Sequence, residues 1–129
     1  SSHGDGAIPF VDVRDIAEVA MQVIVNPQKY VNQALVMTGP EALSNAEALK
    51  SIEQAIGRPV QLVSITEEQA VEAMRQMGMP EFMVQVMSSL NQVIAAGWVS
   101  EVSNDIPQVL GKPARSFADF AQEHRSVWL

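Results

Sequence analysis

The histidines, with the serine and aspartate near one of them, are the side chains whose types could support nucleophilic catalysis. His3 and His124 are the only histidines, and they lie near opposite ends of the 129 residues. Ser2, His3 and Asp5 contain the residue types of a hydrolase triad, but a short terminal peptide cannot hold them in a fixed geometry. We therefore expect no hydrolase site and assign no catalytic residue.

Paired carboxylates are the second candidate for chemistry. Asp12 with Asp15, and Glu67 with Glu68, have the spacing of a helix cap and first turn, where a carboxylate complements the helix dipole. The pairs therefore predict helix starts rather than acid–base or metal sites. Arg14 lies between two aspartates and predicts a local ion pair, with a contact to a cofactor or a partner chain as the alternative.

The glycines and the missing cysteines exclude several further kinds of site. A dinucleotide site needs a glycine-rich turn between a strand and a helix, and neither G-x-G-x-x-G nor G-x-x-x-x-G-K occurs in the sequence. The chain has no cysteine, which excludes disulfides, zinc–thiolate sites and a cysteine nucleophile. We therefore expect no cofactor-binding and no metal-binding residue in this chain.

Methionines form the most unusual pattern. Five of the seven fall within a predicted helix–turn–helix, at positions 74, 77, 79, 83 and 87. Methionine is flexible and polarizable, and it suits apolar surfaces that adapt to a ligand. Three interpretations follow: a soft core under two helices, the wall of an apolar pocket with Trp98 nearby, or an interface with a partner helix.

The elements that position these residues indicate a mixed α/β fold. Residues 16–24 have the apolar stripe of a one-sided helix, and residues 34–37 form an apolar run typical of a strand covered on both faces. Residues 60–65 alternate as a strand does. We expect a small sheet of about three short strands with five or six helices, in a single domain over residues 8–129 after a flexible lead at 1–7.

Two capping boxes predict helix starts. Ser44 with Glu47, and Thr66 with Gln69, have the spacing in which each side chain satisfies the other residue's backbone N–H group. Gly57 ends the first of these helices. The inward side of the second helix is predicted to consist of Ala70, Val71, Met74 and Met77.

Four segments, taken in order, resemble the C-terminal part of an atypical short-chain dehydrogenase/reductase of the NmrA-like group. They are residues 8–17 (IPFVDVRDIA), 38–44 (TGPEALS), 56–60 (IGRPV) and 111–117 (GKPARSF). The group includes type-2 quinone oxidoreductase-like and triphenylmethane reductase-like proteins. The resemblance implies that residues 34–37 are the last strand of a Rossmann-type sheet and that residues 66–98 cover a substrate pocket, with Met83, Met87 and Trp98 as substrate-binding residues.

The resemblance implies the substrate-binding portion of an NAD(P)H-dependent oxidoreductase-like protein. In that family NAD(P)H is bound by an N-terminal Rossmann domain with a glycine-rich loop, so a chain without this loop is expected to be inactive alone. The alternative is a stand-alone, non-enzymatic module that binds a small apolar ligand or a protein partner through its methionine-rich helices.

Net charge and hydropathy limit the kinds of partner that this chain is expected to bind. A net charge of −7 disfavours nucleic acid and anionic membranes, and no apolar run approaches the ~20 residues of a membrane span. The predicted location is the cytoplasm. The apolar strand at 34–37 and the helix at 16–24 would leave a large patch uncovered, which predicts a homodimer, a higher oligomer or a partner chain.

Overall fold

The computed structural model describes residues 4–129, and these residues fold into helices around one very short sheet. The two strands are β1 (Ala7–Ile8) and β2 (Leu43–Ser44), which pair antiparallel, with Ala7 opposite Ser44. The helices of the described residues are α1 (Val13–Val25), α2 (Pro27–Tyr30), α3 (Asn45–Ile56), α4 (Glu67–Gln76), α5 (Glu81–Ala95), α6 (Asp105–Leu110), α7 (Phe117–Glu123) and α8 (Arg125–Trp128).

The helix starts follow the capping chemistry of the sequence. Ser44 and Glu47 form the capping box of α3, and Thr66 and Gln69 form that of α4, so both predictions are confirmed. The Asp12 side chain accepts the Arg14 N–H group and caps α1. These caps satisfy backbone donors that have no partner within the helix.

The core lies between α1 and α6. Val19 of α1, Ile106 of α6 and Ala114 are buried together. The half-buried side chains that pack against them are Val11, Val23, Leu35, Met37, Val109 and Leu110. A second layer consists of α3, which packs against α7 and α8, and α4 packs against α5 as a helical hairpin.

Gly39 brings two distant segments into direct contact. Its N–H group donates to the Pro9 carbonyl oxygen at 3.1 Å, and a Cβ atom at this position would lie 1.7 Å from the Phe10 carbonyl oxygen. Only a residue without a side chain fits so close to a neighbouring backbone. The segment after 34–37 is thereby held against the segment that leads into α1.

The mixed α/β fold class is confirmed, but the sheet has two strands rather than about three. Within residues 4–129, residues 34–38 make no backbone-to-backbone hydrogen bond. Because a β-strand is defined by such bonds to a neighbouring strand, the predicted strand at 34–37 is not formed. The Val36 N–H group donates to the Asp105 carboxylate at 2.8 Å instead. The predicted strand at 60–65 is likewise irregular, and Val60 donates its N–H to the Glu53 side chain.

The main helices are confirmed, but the number of helices and the burial of some side chains differ from the predictions. Eight helices are present among the described residues rather than five or six, because α2 and α8 are extra single turns of four residues. Met77 is exposed, since it follows the end of α4, so its inward assignment is wrong. Ala20 and Ile24, expected on the buried stripe of α1, are exposed as well.

The predicted lead at 1–7 is described only in part. Ser1, Ser2 and His3 lie outside the described residues, whereas Gly4 and Asp5 form a turn. No helix within residues 4–129 is long and apolar enough to cross a membrane.

Candidate binding site

The three residues predicted to bind substrate lie on or just after α5. Met83 and Met87 are one turn apart on this helix, and Trp98 follows its C-terminal turn at Gly97. Met83 is 42% exposed and Trp98 is 78% exposed, whereas Met87 is half-buried. The two methionines are thus neighbours, and their role in binding stays a prediction.

A larger apolar surface accompanies them on α5. We call it the α5 strip, and its members are Phe82, Met83, Val86 and Leu90, all of which are exposed. Their spacing places them on one side of the helix, while Val84, Asn91 and Ile94 are buried on the other side. The apolar side chains of α5 therefore lie mostly at the surface, with Val84 and Ile94 as buried exceptions.

A concave site with a different lining lies at the start of α1. This aromatic cleft has a volume of about 310 Å³ and is lined by residues 10–13, 115–117 and 120. The rings of Phe10 and Phe117 are 5.1 Å apart, and those of Phe117 and Phe120 are 6.1 Å apart. These distances are typical of favourable aromatic pairs, and the volume is at the small end for a ligand pocket.

A buried carboxylate holds the C-terminal wall of the aromatic cleft against α1. Asp15 is fully buried, and its Oδ2 accepts the backbone N–H of Arg115 at 2.7 Å. The Arg115 guanidinium also donates to Asp15 and, at 2.9 Å, to Glu18. Lys112 pairs with the same Glu18 at 2.8 Å, and the two cations hold the pKa of Glu18 below its ordinary value. This network joins segments about 100 residues apart.

A second ion pair lies at the rim of the aromatic cleft. Arg14 donates to Asp12 and to Glu123, both at 2.7 Å, which confirms the predicted local pair. The hydrogen bonds from the Arg14 side chain lower the pKa of Asp12 to about 2, against the opposing effect of burial. Asp12 therefore stays ionised near neutral pH.

These interactions suit binding and positioning rather than proton transfer. The Ser116 hydroxyl accepts the Asp119 N–H group as the cap of α7. The His124 ring stacks on Phe120, and its Nδ1 is 3.0 Å from the Phe120 carbonyl oxygen. Across residues 4–129, no group of three or more His, Cys, Asp or Glu side chains could hold a metal ion.

The glycines of the described residues do not fit a dinucleotide. Gly39 is closed off by the Phe10 backbone, so a pyrophosphate could not approach its N–H group. Gly57 and Gly111 have left-handed conformations and end α3 and α6. Gly78 and Gly97 follow the ends of α4 and α5, Gly4 and Gly6 precede β1, and none of the seven glycines lies at the start of a helix.

The aromatic cleft was not predicted as a site. Its two walls come from the 8–17 and 111–117 segments, but their spacing in the sequence does not indicate that they meet. The sequence predicts Asp15 as a first-turn residue of a helix, whereas its partner in the structure is Arg115. The one available signal was the pairing of an acidic segment at 12–18 with the basic residues Lys112 and Arg115.

Comparison with known proteins identifies one family and several relatives. The model of the NmrA-like family matches residues 3–120. An NAD(P)H azoreductase from Xenophilus azovorans is 43% identical over 125 residues, which are 97% of this chain and 43% of that protein. Agroclavine dehydrogenase from Claviceps fusiformis is 31% identical over 129 residues, all of this chain and 44% of that protein.

Solved structures give the same fold. The triphenylmethane reductase of Citrobacter sp., complexed with NADP(H), superimposes with a TM-score of 0.80 at 16% identity, over 95% of this chain and 43% of that protein. The chain spans less than half the length of the relatives that it matches.

Proposed function

Because this chain belongs to the NmrA-like family, we propose that it is the substrate-binding portion of an NAD(P)H-dependent oxidoreductase. The observation that carries the proposal is its 43% identity, over nearly the whole chain, to a protein named as an NAD(P)H azoreductase. The substrate class is then an azo compound, as the name of that relative indicates. The chain spans only part of such a protein and is inactive by itself.

The α5 strip, with Met87 and Trp98 beside it, is a surface that suits such a substrate. Met83 and Met87 offer flexible, polarizable contacts, and Trp98 offers an exposed aromatic ring beside the helix end. The neighbouring charges do not compete for an apolar ligand, because Arg75 is paired with Glu81 at 2.8 Å. Binding would therefore rest on apolar area rather than on ion pairs.

NAD(P)H belongs, in this proposal, to a part of the family fold outside these 129 residues. None of the glycines within residues 4–129 lies at the start of a helix, where a pyrophosphate would bind. Titration of the isolated chain with NADPH is expected to give no saturable signal. Tight, saturable binding would contradict this division of roles.

The substrate role can be tested in a chimaera in which this chain replaces the matched stretch of the azoreductase. Met83→Gln and Met87→Gln keep the side-chain length but make the surface polar. Each is expected to raise KM for an azo substrate about tenfold, because the loss of about 1.4 kcal/mol of apolar contact corresponds to that factor. Met77→Gln is the matched control, since Met77 is an exposed methionine of the same hairpin. An equal KM for all three variants would contradict the role of Met83 and Met87.

The alternative, a stand-alone binding module, predicts a different result. The isolated chain would then bind 4-hydroxyazobenzene with quenching of Trp98 fluorescence, and this signal would be lost in Trp98→Phe. The chimaera would have no azo-reducing activity. This pair of results would favour the module over the reductase portion.

A further inference from the structure

We propose that the aromatic cleft is a second binding site of this chain, and that its ligand is a small, neutral aromatic molecule of one or two rings. The cleft is lined by residues 10–13, 115–117 and 120 and has a volume of about 310 Å³. In the part of the chain that the structure describes, the α5 strip contributes no residue to this lining. The site therefore does not depend on the substrate role proposed for the α5 strip.

A row of three aromatic rings forms the apolar surface of the cleft. The Phe10 ring on one wall is tilted by 49° against the Phe117 ring on the other, and the Phe117 ring is tilted by 41° against that of Phe120. All three side chains are half-buried, so part of each ring still faces the open space. Aromatic rings attract one another in tilted or offset arrangements beyond the effect of buried area. The lining therefore favours an aromatic ligand over an aliphatic one.

The walls of the cleft are held in place without a ligand. The buried Asp15 carboxylate accepts the backbone N–H group of Arg115 at 2.7 Å and so fixes the C-terminal wall against α1. The Ser116 hydroxyl accepts the Asp119 N–H group at 3.1 Å and fixes the start of α7, which carries two of the rings. Because the cleft does not have to form on binding, a ligand loses little affinity to the ordering of protein groups.

The charges beside the cleft are already paired, which indicates a neutral ligand. Asp12 and Arg115 are the charged residues in the described part of the lining. The Arg14 side chain donates two hydrogen bonds to Asp12, at 2.7 and 3.0 Å, and Arg115 donates to Asp15 and Glu18. A charged ligand would lose water without gaining an unpaired counter-charge. A neutral ring avoids this cost.

The backbone groups of the cleft indicate a free molecule rather than the aromatic side chain of a peptide. A peptide in a groove is commonly held by hydrogen bonds to backbone groups of the groove. Here the Phe10 N–H group donates to the Ile8 carbonyl oxygen at 3.0 Å, and the Arg115 N–H group donates to Asp15. Neither donor is available to a peptide. The volume, at the small end for a ligand pocket, fits a molecule of one or two rings.

The binding test titrates this chain with 1-naphthol, a neutral two-ring probe, and follows the backbone amide shifts by NMR. We expect saturable shift changes at Val13, Arg115 and Phe117, and little change at Met83 and Leu90 of the α5 strip. 1-Naphthoate has the same rings with a negative charge, and N-acetylphenylalaninamide presents a phenyl ring on a peptide backbone. Each is expected to bind at least about tenfold more weakly than 1-naphthol.

Two substitutions test the position of the site. Val13→Trp adds a ring to the lining from a side chain that is 75% exposed, so the fold should be kept while the cleft is filled. We expect it to raise the Kd of 1-naphthol at least about tenfold. Val127→Trp is the matched control, since Val127 is 73% exposed and lies on α8, and it should leave the Kd unchanged. Phe117→Leu keeps an apolar side chain but removes a ring, and it should raise the Kd about fivefold.

Several results would overturn the proposal. Shift changes confined to the α5 strip, or an equal Kd for Val13→Trp and the parent chain, would place the probe outside the cleft. Tighter binding of 1-naphthoate would contradict a neutral ligand, and tighter binding of N-acetylphenylalaninamide would assign the cleft to a peptide side chain instead.

The same titration in the azoreductase chimaera tests whether the cleft is open in a longer protein. We expect the same amides to shift and Val13→Trp to weaken binding by the same factor. Loss of 1-naphthol binding in the chimaera would overturn the proposal, because the cleft would then be covered by other parts of that protein. Binding that persists while Met83→Gln leaves KM for the azo substrate unchanged would support the cleft and contradict only the substrate role of the α5 strip.

Discussion

Two regions of the molecule use their apolar residues in opposite ways. In the motif-bearing region, made of residues 8–25, 34–39 and 105–120, buried side chains and a buried carboxylate hold distant segments together. In the α4–α5 hairpin, residues 67–95, exposed apolar side chains lie beside a few buried ones. The interactions of the first region fix the positions of its segments, whereas the second region exposes apolar side chains to solvent.

The difference separates structural residues from candidate binding residues. A substitution in the motif-bearing region either leaves a buried partner unsatisfied or introduces a clash, so the free energy of unfolding should fall sharply. Removing an exposed side chain from the hairpin changes only what the surface can bind. The following substitutions should therefore divide into large and small effects along this boundary.

Gly39→Ala should give the largest effect. The added Cβ atom would lie 1.7 Å from the Phe10 carbonyl oxygen, and a backbone atom cannot move aside cheaply. We expect a loss of about 3 kcal/mol or more in the free energy of unfolding, measured in urea. Gly57→Ala is the control, because its φ is +69° but a Cβ atom there meets nothing within 4 Å, so about 1 kcal/mol is expected. Equal losses would show that the close approach does not hold the region together.

Asp15→Asn should rank second. The change keeps the shape of the buried Asp15 side chain but removes the charge that accepts the hydrogen bonds from Arg115. We expect a loss of about 2 kcal/mol in thermal or urea unfolding. Glu81→Gln breaks an exposed pair with Arg75 in the hairpin and should change stability far less. If the two variants were equally stable, the contrast between the regions would not hold.

The same contrast explains which parts of the fold could be predicted from the sequence. A helix cap depends only on residues within three or four positions of one another. The sequence therefore correctly predicts Asp12, Ser44 and Thr66 as helix caps. The pairing of Asp15 with Arg115 joins positions 100 residues apart, and no local pattern contains it.

The incorrect predictions have a related cause. An apolar run at 34–37 indicates a covered strand, but a strand also needs a partner, and none is present within the described residues. The stripe on α1 correctly contains Val19, yet Ile24 of the same stripe is exposed. Periodicity identifies apolar faces but does not tell which of them has a neighbour in this chain. For the candidate binding site, it identified Met83 and Met87 as neighbours on a helix and did not identify the aromatic cleft.

A pH titration tests the rim of the aromatic cleft. The pKa of Asp12 is lowered from 3.8 to about 2, so its contribution is fully present above pH 4 and is lost as the pH falls toward 2. Since Arg14 is exposed to solvent, which screens the pair, we expect its contribution to the free energy of unfolding to be small. Asp12→Asn retains a good helix cap, so the difference between the two proteins should shrink between pH 4 and pH 2. A constant difference across this range would contradict the assignment.

Phe82→Ser should give the smallest effect, and it tests the hairpin side of the comparison. Phe82 is 73% exposed on the α5 strip, so little apolar area leaves a buried environment and stability should change by less than about 0.5 kcal/mol. Val84→Ala, two residues further on the buried side of the same helix, should cost about 2 kcal/mol because it opens a cavity. If Phe82→Ser lowered the free energy of unfolding as much as Val84→Ala does, the Phe82 ring would have to be packed in the core. The α5 strip would then not be a surface. A small change in stability together with weaker binding of an azo ligand would instead agree with a surface kept apolar for a ligand.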